Sequence, residues 1–417
     1  MRINDLNGFA QGVGRFEEGE HQGMVGFVPH TLPGDIIEPK TIEFQKRIGL
    51  VKTRTILTKS QLRGETHCNH AGVCPGCSLH SMQTKDYKSL KAMVLNSLLR
   101  GPLKNQNMPL ICLNQTGFRN KIILHWNDSS QSLAYSDESS YSDITQCPIA
   151  EKPIQNIISQ LPKALKEISG VHKIYIKSLP GDQTILGIIC KLKPVVEDLK
   201  SRLSHLSDSI FWQYDNTPFT IDRYQWIQGG ETPFYEEVLT RPLFWLPESF
   251  FQTNRPILNE IVKTLRQWIK PQTIVWDLFC GIGTLLFGIQ EQIQSGYGVE
   301  FGPEAIECAR NSALQVKNLN FACLDLTKEI HKIPKNWEKP GLILLNPPRQ
   351  GISPKLIKRL LEMNCQELIY MSCNPITLER DLKPLLQSGY SLKQSLAFDM
   401  FPNTAHFEIL THLKKGL

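Results

Sequence analysis

From about residue 246 the chain alternates short apolar runs with longer amphipathic stretches. The runs cover 273–278, 296–300, 341–345 and 367–371; helical patterns begin at Thr284 and cover 303–314, 356–363 and 377–388. Strand-length runs separated by helix-length segments require crossover connections, so this part reads as βαβ units on a mostly parallel sheet. Open sheets of that kind bind ligands outside the carboxyl ends of their strands. The polar residues that follow each apolar run are therefore the first place to look for chemistry.

Upstream the pattern is different. Residues 8–44 are short β-prone runs broken by glycine, with a turn at Pro33, Gly34 and Asp35, as in a small barrel. Tyr87, Leu90, Met93, Val94 and Leu98 recur at spacings of three and four, which predicts a helix over 85–99. Residues 111–245 read as mostly β, with Ile122, Leu124 and Trp126 alternating and strands expected at 173–177 and 183–192. The chain thus divides into a barrel over 1–62, a β-rich central domain over 63–245 and an α/β domain over 246–417, with the helix near 82–111 expected to pack on the last.

Hydrophobic residues at 41% and charged residues at 21% exclude a disordered or fibrous chain. No apolar run approaches the roughly 18 residues of a membrane span. The start, MRINDLNGFAQG, lacks the basic and apolar regions of a secretory signal, which leads one to expect a cytoplasmic protein with no membrane partner. Eleven cysteines in that compartment are metal ligands, a nucleophile or small buried hydrophobes rather than disulfides. The net charge of +6 is concentrated: residues 40–63 hold Lys40, Lys46, Arg47, Lys52, Arg54, Lys59 and Arg63 against Glu43 alone. Such a strip is either the footprint of a polyanion or a solvated face.

Four motifs carry chemistry. Cys68, Cys74 and Cys77 lie in HCNHAGVCPGCSLH, and Cys147 follows in QCPIA. Four thiolates hold a structural zinc or a cubane iron-sulfur cluster, and a single C-x2-C pair with two lone cysteines leans toward the cluster. In IVWDLFCGIGTLLFG an apolar strand ends at Asp277, Gly281 and Gly283 form a turn, and a helix opens at Thr284. Leu286 stands where a dinucleotide site wants its third glycine, so S-adenosylmethionine fits better. Glu300 ends the next strand, where an acid accepts ribose hydroxyls. Two further strands run into Asn346-Pro347-Pro348-Arg349 and Ser372-Cys373-Asn374-Pro375, which offers Cys373 as an accessible nucleophile. In HFEIL, alternation puts His406, Glu408 and Leu410 on one strand face, and apolar neighbours suit Glu408 to proton abstraction.

Taken together these residues resemble, over nearly the whole chain, the S-adenosylmethionine-dependent RNA uracil-5-methyltransferases, which form 5-methyluridine. The resemblance implies an OB-like RNA-binding barrel (the TRAM domain) at GFVPHTLPGD and TKSQLR, and a Rossmann-like methyltransferase domain at the C-terminus. It also implies a [4Fe-4S] cluster on Cys68, Cys74, Cys77 and Cys147, although CPGC replaces the commoner CGGC. FRNKI at 118–122 resembles a further family segment. SFFQTN, DLFCGIGT, GVE and FACLDL assign cofactor binding to Gln252, Phe279, Gly281, Gly283, Thr284, Glu300 and Asp325. YMSCNPITLERDL makes Cys373 the nucleophile and DMFPNTAHFEIL makes Glu408 the base. Asn346, also a cofactor-binding position, departs from the family's usual Asp; it keeps a carbonyl acceptor and loses the charge. A barrel plus cluster resembles the subfamily that modifies 23S ribosomal RNA more than the shorter transfer-RNA enzymes. The expected partner is RNA and the chain is expected to act as a monomer. Three other readings stay open: T-loop methylation of transfer RNA, a weakly active or non-catalytic RNA binder, and a cytosine-5 methyltransferase.

Overall fold

The computed structural model describes residues 1–79, 86–104, 106, 108–136, 141–215, 224–230, 234–247 and 249–416. Residues 82–85, which the sequence assigns to the start of a helix, lie outside the described residues; the helix runs Tyr87–Leu98.

The C-terminal part is built on an eight-stranded sheet. Its spatial order is Leu319–Cys323, Ser295–Glu300, Ile274–Leu278, Leu342–Leu345, Glu367–Ser372, Glu408–Lys415, Tyr390–Phe398 and Leu110–Ile111. The first five strands are parallel, as the βαβ rhythm requires. Strand order reverses beside Ile274–Leu278, which leaves a crevice at the carboxyl edge. Glu408–Lys415 runs antiparallel, pairing Ile409 with Ser372. An antiparallel strand starts at the edge where its parallel neighbours end, so Glu408 arrives beside the end of Glu367–Ser372. The helices between the strands start with local signals. Asn254, Ser353 and Asn374 accept the backbone N–H groups of Ile257, Leu356 and Ile376, and proline occupies the first turn in each case.

The central region departs from the expectation of a mostly β segment. Its seven-stranded sheet carries two helices, Lys152–Leu165 and Val196–Leu203. Ile154, Ile157, Ile158, Leu161 and Leu165 are buried at helical spacing, but Pro162 inside the helix and the β-branched isoleucines obscure that period. The sequence reading also passes over Arg255–Trp268, whose buried Ile257, Leu258, Ile261, Val262 and Leu265 form a regular apolar stripe.

At the N-terminus five strands follow the order Ile3–Leu6, Gly12–Arg15, Val25–Val28, Ile48–Thr58 and Ile36–Gln45. A bridge between Arg2 and Ile36 links the two outer strands and closes the sheet on itself. Ile3, Phe16, Val28, Ile37 and Val51 fill the interior. Asp35, fully buried, accepts from the N–H groups of Leu32 (2.7 Å) and Ser60 (2.8 Å) and from both arms of Arg63 (2.8 and 2.6 Å). Burial raises its pKa, but these donors outweigh it and hold the carboxyl below its ordinary value.

The Tyr87–Leu98 helix packs with Leu6, Ala10 and Leu32 of the barrel and with the C-terminal sheet in one apolar cluster. As the chain leaves that helix, the Glu379 carboxylate accepts the N–H groups of Arg100, Gly101 and Leu103 (2.7, 2.7 and 3.1 Å). Residues 110–111 then extend the C-terminal sheet as its edge strand. Among the described residues no helix is long and apolar enough to cross a membrane.

Candidate active site

A cavity of about 960 Å³ opens at the carboxyl edge of the C-terminal sheet. Gln252, Phe279, Gly281, Thr284, Glu300, Asp325, Asn346, Cys373 and Glu408 all lie in its wall. Gly283, read as a cofactor contact, lies outside that wall. A Cβ there would stand 2.9 Å from the Phe321 ring, so this glycine lets the turn rest on Phe321 and Phe287.

The turn enters left-handed backbone at every second residue, with φ of 70° at Phe279, 55° at Gly281 and 84° at Gly283. A phenylalanine at positive φ marks a constraint. Here the N–H groups of Phe279 and Cys280 both donate to the Val299 carbonyl (2.9 and 3.0 Å), which bends the chain sharply at the strand end. A Cβ on Gly281 would meet nothing within 4 Å, so the backbone is open to a ligand at that point. The Glu300 carboxylate accepts from the N–H groups of Gly281 (3.1 Å), Phe301 (2.8 Å) and Gly302 (3.1 Å). Beneath the turn, Asp277 is fully buried; burial and the Glu300 charge raise its pKa well above the carboxylate range.

Gln252 is placed by its backbone. Asn120, from FRNKI, donates its side-chain N–H to the Gln252 carbonyl (3.1 Å) and its main-chain N–H to that of Thr253 (3.0 Å), and the Lys177 ammonium holds the Asn120 side-chain oxygen (3.0 Å). The buried Gln252 Oε1 has no hydrogen-bond partner among the described residues, which leaves an acceptor for a ligand. Asp325 accepts from the N–H (2.9 Å) and hydroxyl (2.5 Å) of Thr327, and that hydroxyl is the main cause of its lowered pKa. Asn346 is fixed by its N–H donating to the Leu278 carbonyl (3.2 Å).

Cys373 is half-buried, directly before the helix Pro375–Gln387, whose N-terminal dipole favours a thiolate. Burial first, and then the charge of Glu408, push its pKa up, while Arg349 pulls it down. Glu408 is 4% exposed, and burial raises its carboxyl to about 8 against the opposing pull of Arg349. Its Oε2 has no hydrogen-bond partner among the described residues. The two strand faces alternate as expected, Leu410 packing in one apolar cluster and Phe407 and Ile409 in the other, and Phe407 to Leu410 are all buried. Arg349 is the functional residue that sequence reading passed over. It stands in NPPRQG, and its carbonyl accepts from the Asn374 side chain (3.0 Å) and the Thr377 hydroxyl (3.1 Å), which staples the two strand-end loops together. A nucleophile, a buried carboxyl poised near neutrality and a cation whose charge acts on both suit addition to an electron-poor ring followed by proton removal.

A second, smaller cavity is lined by Cys68, Cys74, Cys77 and Cys147. Burial pushes the Cys77 thiol up to about 12, with Cys147, Cys74 and Cys68 adding to the shift and Arg119 opposing it. Among the described residues no group of three or more His, Cys, Asp or Glu is arranged to hold a single metal ion.

The basic strip is narrower than its sequence suggests. Arg63 is turned inward on Asp35, Arg54 is half-buried with its guanidinium near the His30 carbonyl (3.3 Å), and Lys40 and Lys52 pair with Glu38 and Glu43. Lys46, Arg47 and Lys59 remain exposed.

The family model described as tRNA (Uracil-5-)-methyltransferase matches residues 245–416, the segment that forms this cavity. Over its whole length the chain is 26% identical to the 23S rRNA (uracil(1939)-C(5))-methyltransferase of Klebsiella pneumoniae, covering 96% of that relative. It is 29% identical to the enzyme of the same name from Shewanella sediminis, over 94% of this chain and 91% of the relative. In fold it is similar to the Pyrococcus abyssi tRNA (uracil-54, C5)-methyltransferase in complex with S-adenosyl-L-homocysteine, with a TM-score of 0.80, 21% identity and 99% of each chain covered. The glycine turn, the acid at the next strand end and the cysteine facing a buried glutamate agree with these likenesses: residues 245–416 belong to the RNA uracil-5-methyltransferase family, and the chain as a whole is similar to its 23S rRNA members.

Proposed function

We propose that the protein methylates carbon 5 of a uridine in 23S ribosomal RNA, at the site corresponding to uracil 1939 in the names of its relatives. The observation that carries this reading is that one cavity is lined both by Cys373, Arg349 and Glu408 and by the Gly281 turn with Glu300. We assign cofactor binding to Gln252, Phe279, Gly281, Thr284, Glu300, Asp325 and Asn346, with Gly283 shaping the turn. S-adenosylmethionine held there supplies an electrophilic methyl group to the activated ring.

The protein's own residues supply the rest. Carbon 5 of uracil is a weak nucleophile, so the Cys373 thiolate first adds to carbon 6, and the displaced electrons gather as an enolate that makes carbon 5 reactive. After methylation carbon 5 still carries its proton. Glu408 removes it, the electrons re-form the ring double bond, and Cys373 leaves as thiolate. The Arg349 cation favours the anionic form of both groups. A base inside a duplex cannot reach this cavity, which favours a loop or a base turned out of its stack. Asn346 replaces the usual Asp, so the anionic groups of the wall are Glu300, Asp325, Glu304 and, when deprotonated, Glu408.

We further assign residues 1–62 to a TRAM-type RNA-binding barrel, 63–245 to a central domain and 246–417 to the catalytic domain, with the Tyr87–Leu98 helix and residues 110–111 packed on the last. Cys68, Cys74, Cys77 and Cys147 are proposed to hold a [4Fe-4S] cluster. A cubane spreads its ligands over four irons instead of converging them on one ion, which suits four thiols lining one cavity. Protein purified without air is expected to be brown and to contain iron and sulfide, with Cys147→Ser lowering both contents and the soluble yield. Stoichiometric zinc without iron or sulfide would defeat the assignment.

Mapping 5-methyluridine in ribosomal and transfer RNA, from cells with and without the protein, tests the function. The proposal requires loss at one 23S position. Loss confined to the T-loop would transfer the activity to transfer RNA, and unchanged methylation by a protein that still binds RNA would leave a non-catalytic binder.

A further inference from the structure

Residues 399–407 join Tyr390–Phe398 to the strand that begins at Glu408, so their conformation decides where the Glu408 carboxylate lies. Two of the groups that hold this segment, Tyr87 and Lys91, come from more than 300 positions earlier in the chain. Lys91, with no solvent exposure, pairs with Asp399 (2.7 Å) and donates to the carbonyls of Phe401 (3.2 Å) and Thr404 (2.6 Å). Its ammonium also stands 4.5 Å from the centre of the Phe407 ring. The Tyr87 hydroxyl donates to Asp399 Oδ2 (2.6 Å) and accepts the Asn403 N–H (2.8 Å). The Asp399 N–H donates to the Ile111 carbonyl (2.9 Å), and the Asn254 side chain to that of Met400 (3.2 Å).

The same segment walls the cysteine cavity. Asn403 lines it beside Gln115, donates its side-chain N–H to the Gln115 carbonyl (2.9 Å), and accepts at its own carbonyl the N–H of Leu79 (2.9 Å), two residues after Cys77. Burying an ammonium and a carboxylate together costs desolvation that apolar residues would avoid. What the pair secures here is a single geometry for a loop with a catalytic group at one end and a cavity wall in its middle.

We propose that Tyr87, Lys91 and Asp399 are positioning residues for Glu408, and that the segment they hold couples the cysteine cavity to the proton-removal step. The inference rests on the assignment of Glu408 as the base. A base displaced by about 1 Å loses up to about 100-fold in rate, and the loss should fall on release of the product rather than on cofactor binding.

The test uses the full-length protein, 23S RNA and cofactor labelled in its methyl group. Tyr87→Phe keeps the ring and removes only the bridging hydroxyl. Tyr390→Phe is the control, because it removes another buried hydroxyl, bonded to the Cys365 carbonyl (2.6 Å), at the opposite end of the sheet from the cavity. Tyr87→Phe is expected to bind S-adenosylhomocysteine as the unaltered protein does, to release product about 10- to 100-fold more slowly, and to accumulate a labelled protein–RNA band on denaturing gels. Tyr390→Phe should show no such band. Asn403→Gly, which retains the left-handed backbone (φ 64°) and loses only the side-chain bond to Gln115, should show the band as well. Normal release by Tyr87→Phe overturns the positioning role, and normal release by Asn403→Gly overturns the coupling to the cysteine cavity. If Glu408→Gln itself traps no adduct, the base assignment fails and takes this inference with it; if it does trap one while Tyr87→Phe releases normally, only this inference falls.

Discussion

Replacing Cys373 with Ala is expected to abolish methylation together with every covalent RNA species, whereas Glu408→Gln is expected to stop the reaction one step later and leave the protein tethered to methylated RNA. The two outcomes differ because addition to carbon 6 needs the thiolate and release needs the carboxylate. Without the thiolate the ring is never activated, a loss on the order of the 10⁴-fold or more seen when a covalent nucleophile is removed. With Gln at 408 the added methyl group remains, the carbon 5 proton stays in place, and the Cys373–carbon 6 bond cannot be eliminated. A labelled band that survives denaturing electrophoresis and disappears in the double variant is the expected signature. Normal turnover by Glu408→Gln would put the base elsewhere. An absence of both product and adduct, with RNA still bound, would place Glu408 before methyl transfer.

The same pair sets the pH dependence. Burial holds Glu408 protonated up to about 8 and raises the Cys373 thiol, and both groups act only when deprotonated, so kcat/KM is expected to rise from pH 6 through 8. Stability runs the other way. A carboxyl whose pKa is higher in the fold than in the unfolded chain binds its proton more tightly when folded, so stability falls as pH rises from the ordinary 4.5 toward 8. Glu408→Gln lacks that penalty, and its Tm should exceed the unaltered protein's at pH 8 by on the order of 2 °C or more, with the difference closing below pH 5. A constant difference across that range would mean that Glu408 does not titrate as its burial requires.

The second large effect separates two glycines of one turn. Gly283→Ala puts a Cβ 2.9 Å from the Phe321 ring and 3.0 Å from that of Phe287 at a φ of 84°, so backbone strain and an immovable ring act together. The left-handed conformation alone costs about 1–2 kcal/mol for a residue with a Cβ, and overpacking adds about 1–3 kcal/mol. Reduced soluble yield and a clearly lowered Tm are expected. Gly281→Ala carries only the strain, because its Cβ meets nothing within 4 Å. It should fold with a small loss of Tm and fail in binding, since the new methyl stands in the wall of the cofactor cavity. Calorimetry with S-adenosylhomocysteine should show about a tenfold or larger loss for Gly281→Ala. If Gly281→Ala binds normally and Gly283→Ala folds normally, the turn is not the cofactor cradle.

The C-terminal architecture and most of the cavity wall are legible in the order of residues along the chain. Parallel strands share a direction, so the residues that follow Leu278, Val299, Leu345 and Ser372 meet at one edge whatever their separation along the chain. Glycine at a strand end, a cysteine before a proline-started helix and an acid opening a terminal strand are local features and were legible as text. The helix Lys152–Leu165 was less so, because Pro162 and its isoleucines argue for the wrong element until a sheet face is present to cover the stripe. Tertiary structure alone decided the rest. An apolar stripe from Tyr87 to Leu95 shows that a helix buries one face, not that the face lies on the barrel and the C-terminal sheet at once. Only the fold brings Lys91 to Asp399, the charge of Arg349 to both Cys373 and Glu408, and Arg63 onto Asp35. The physical reason is that a charge acquires its pKa and its task from what packs against it, and those neighbours are set by chain crossings that local sequence does not encode.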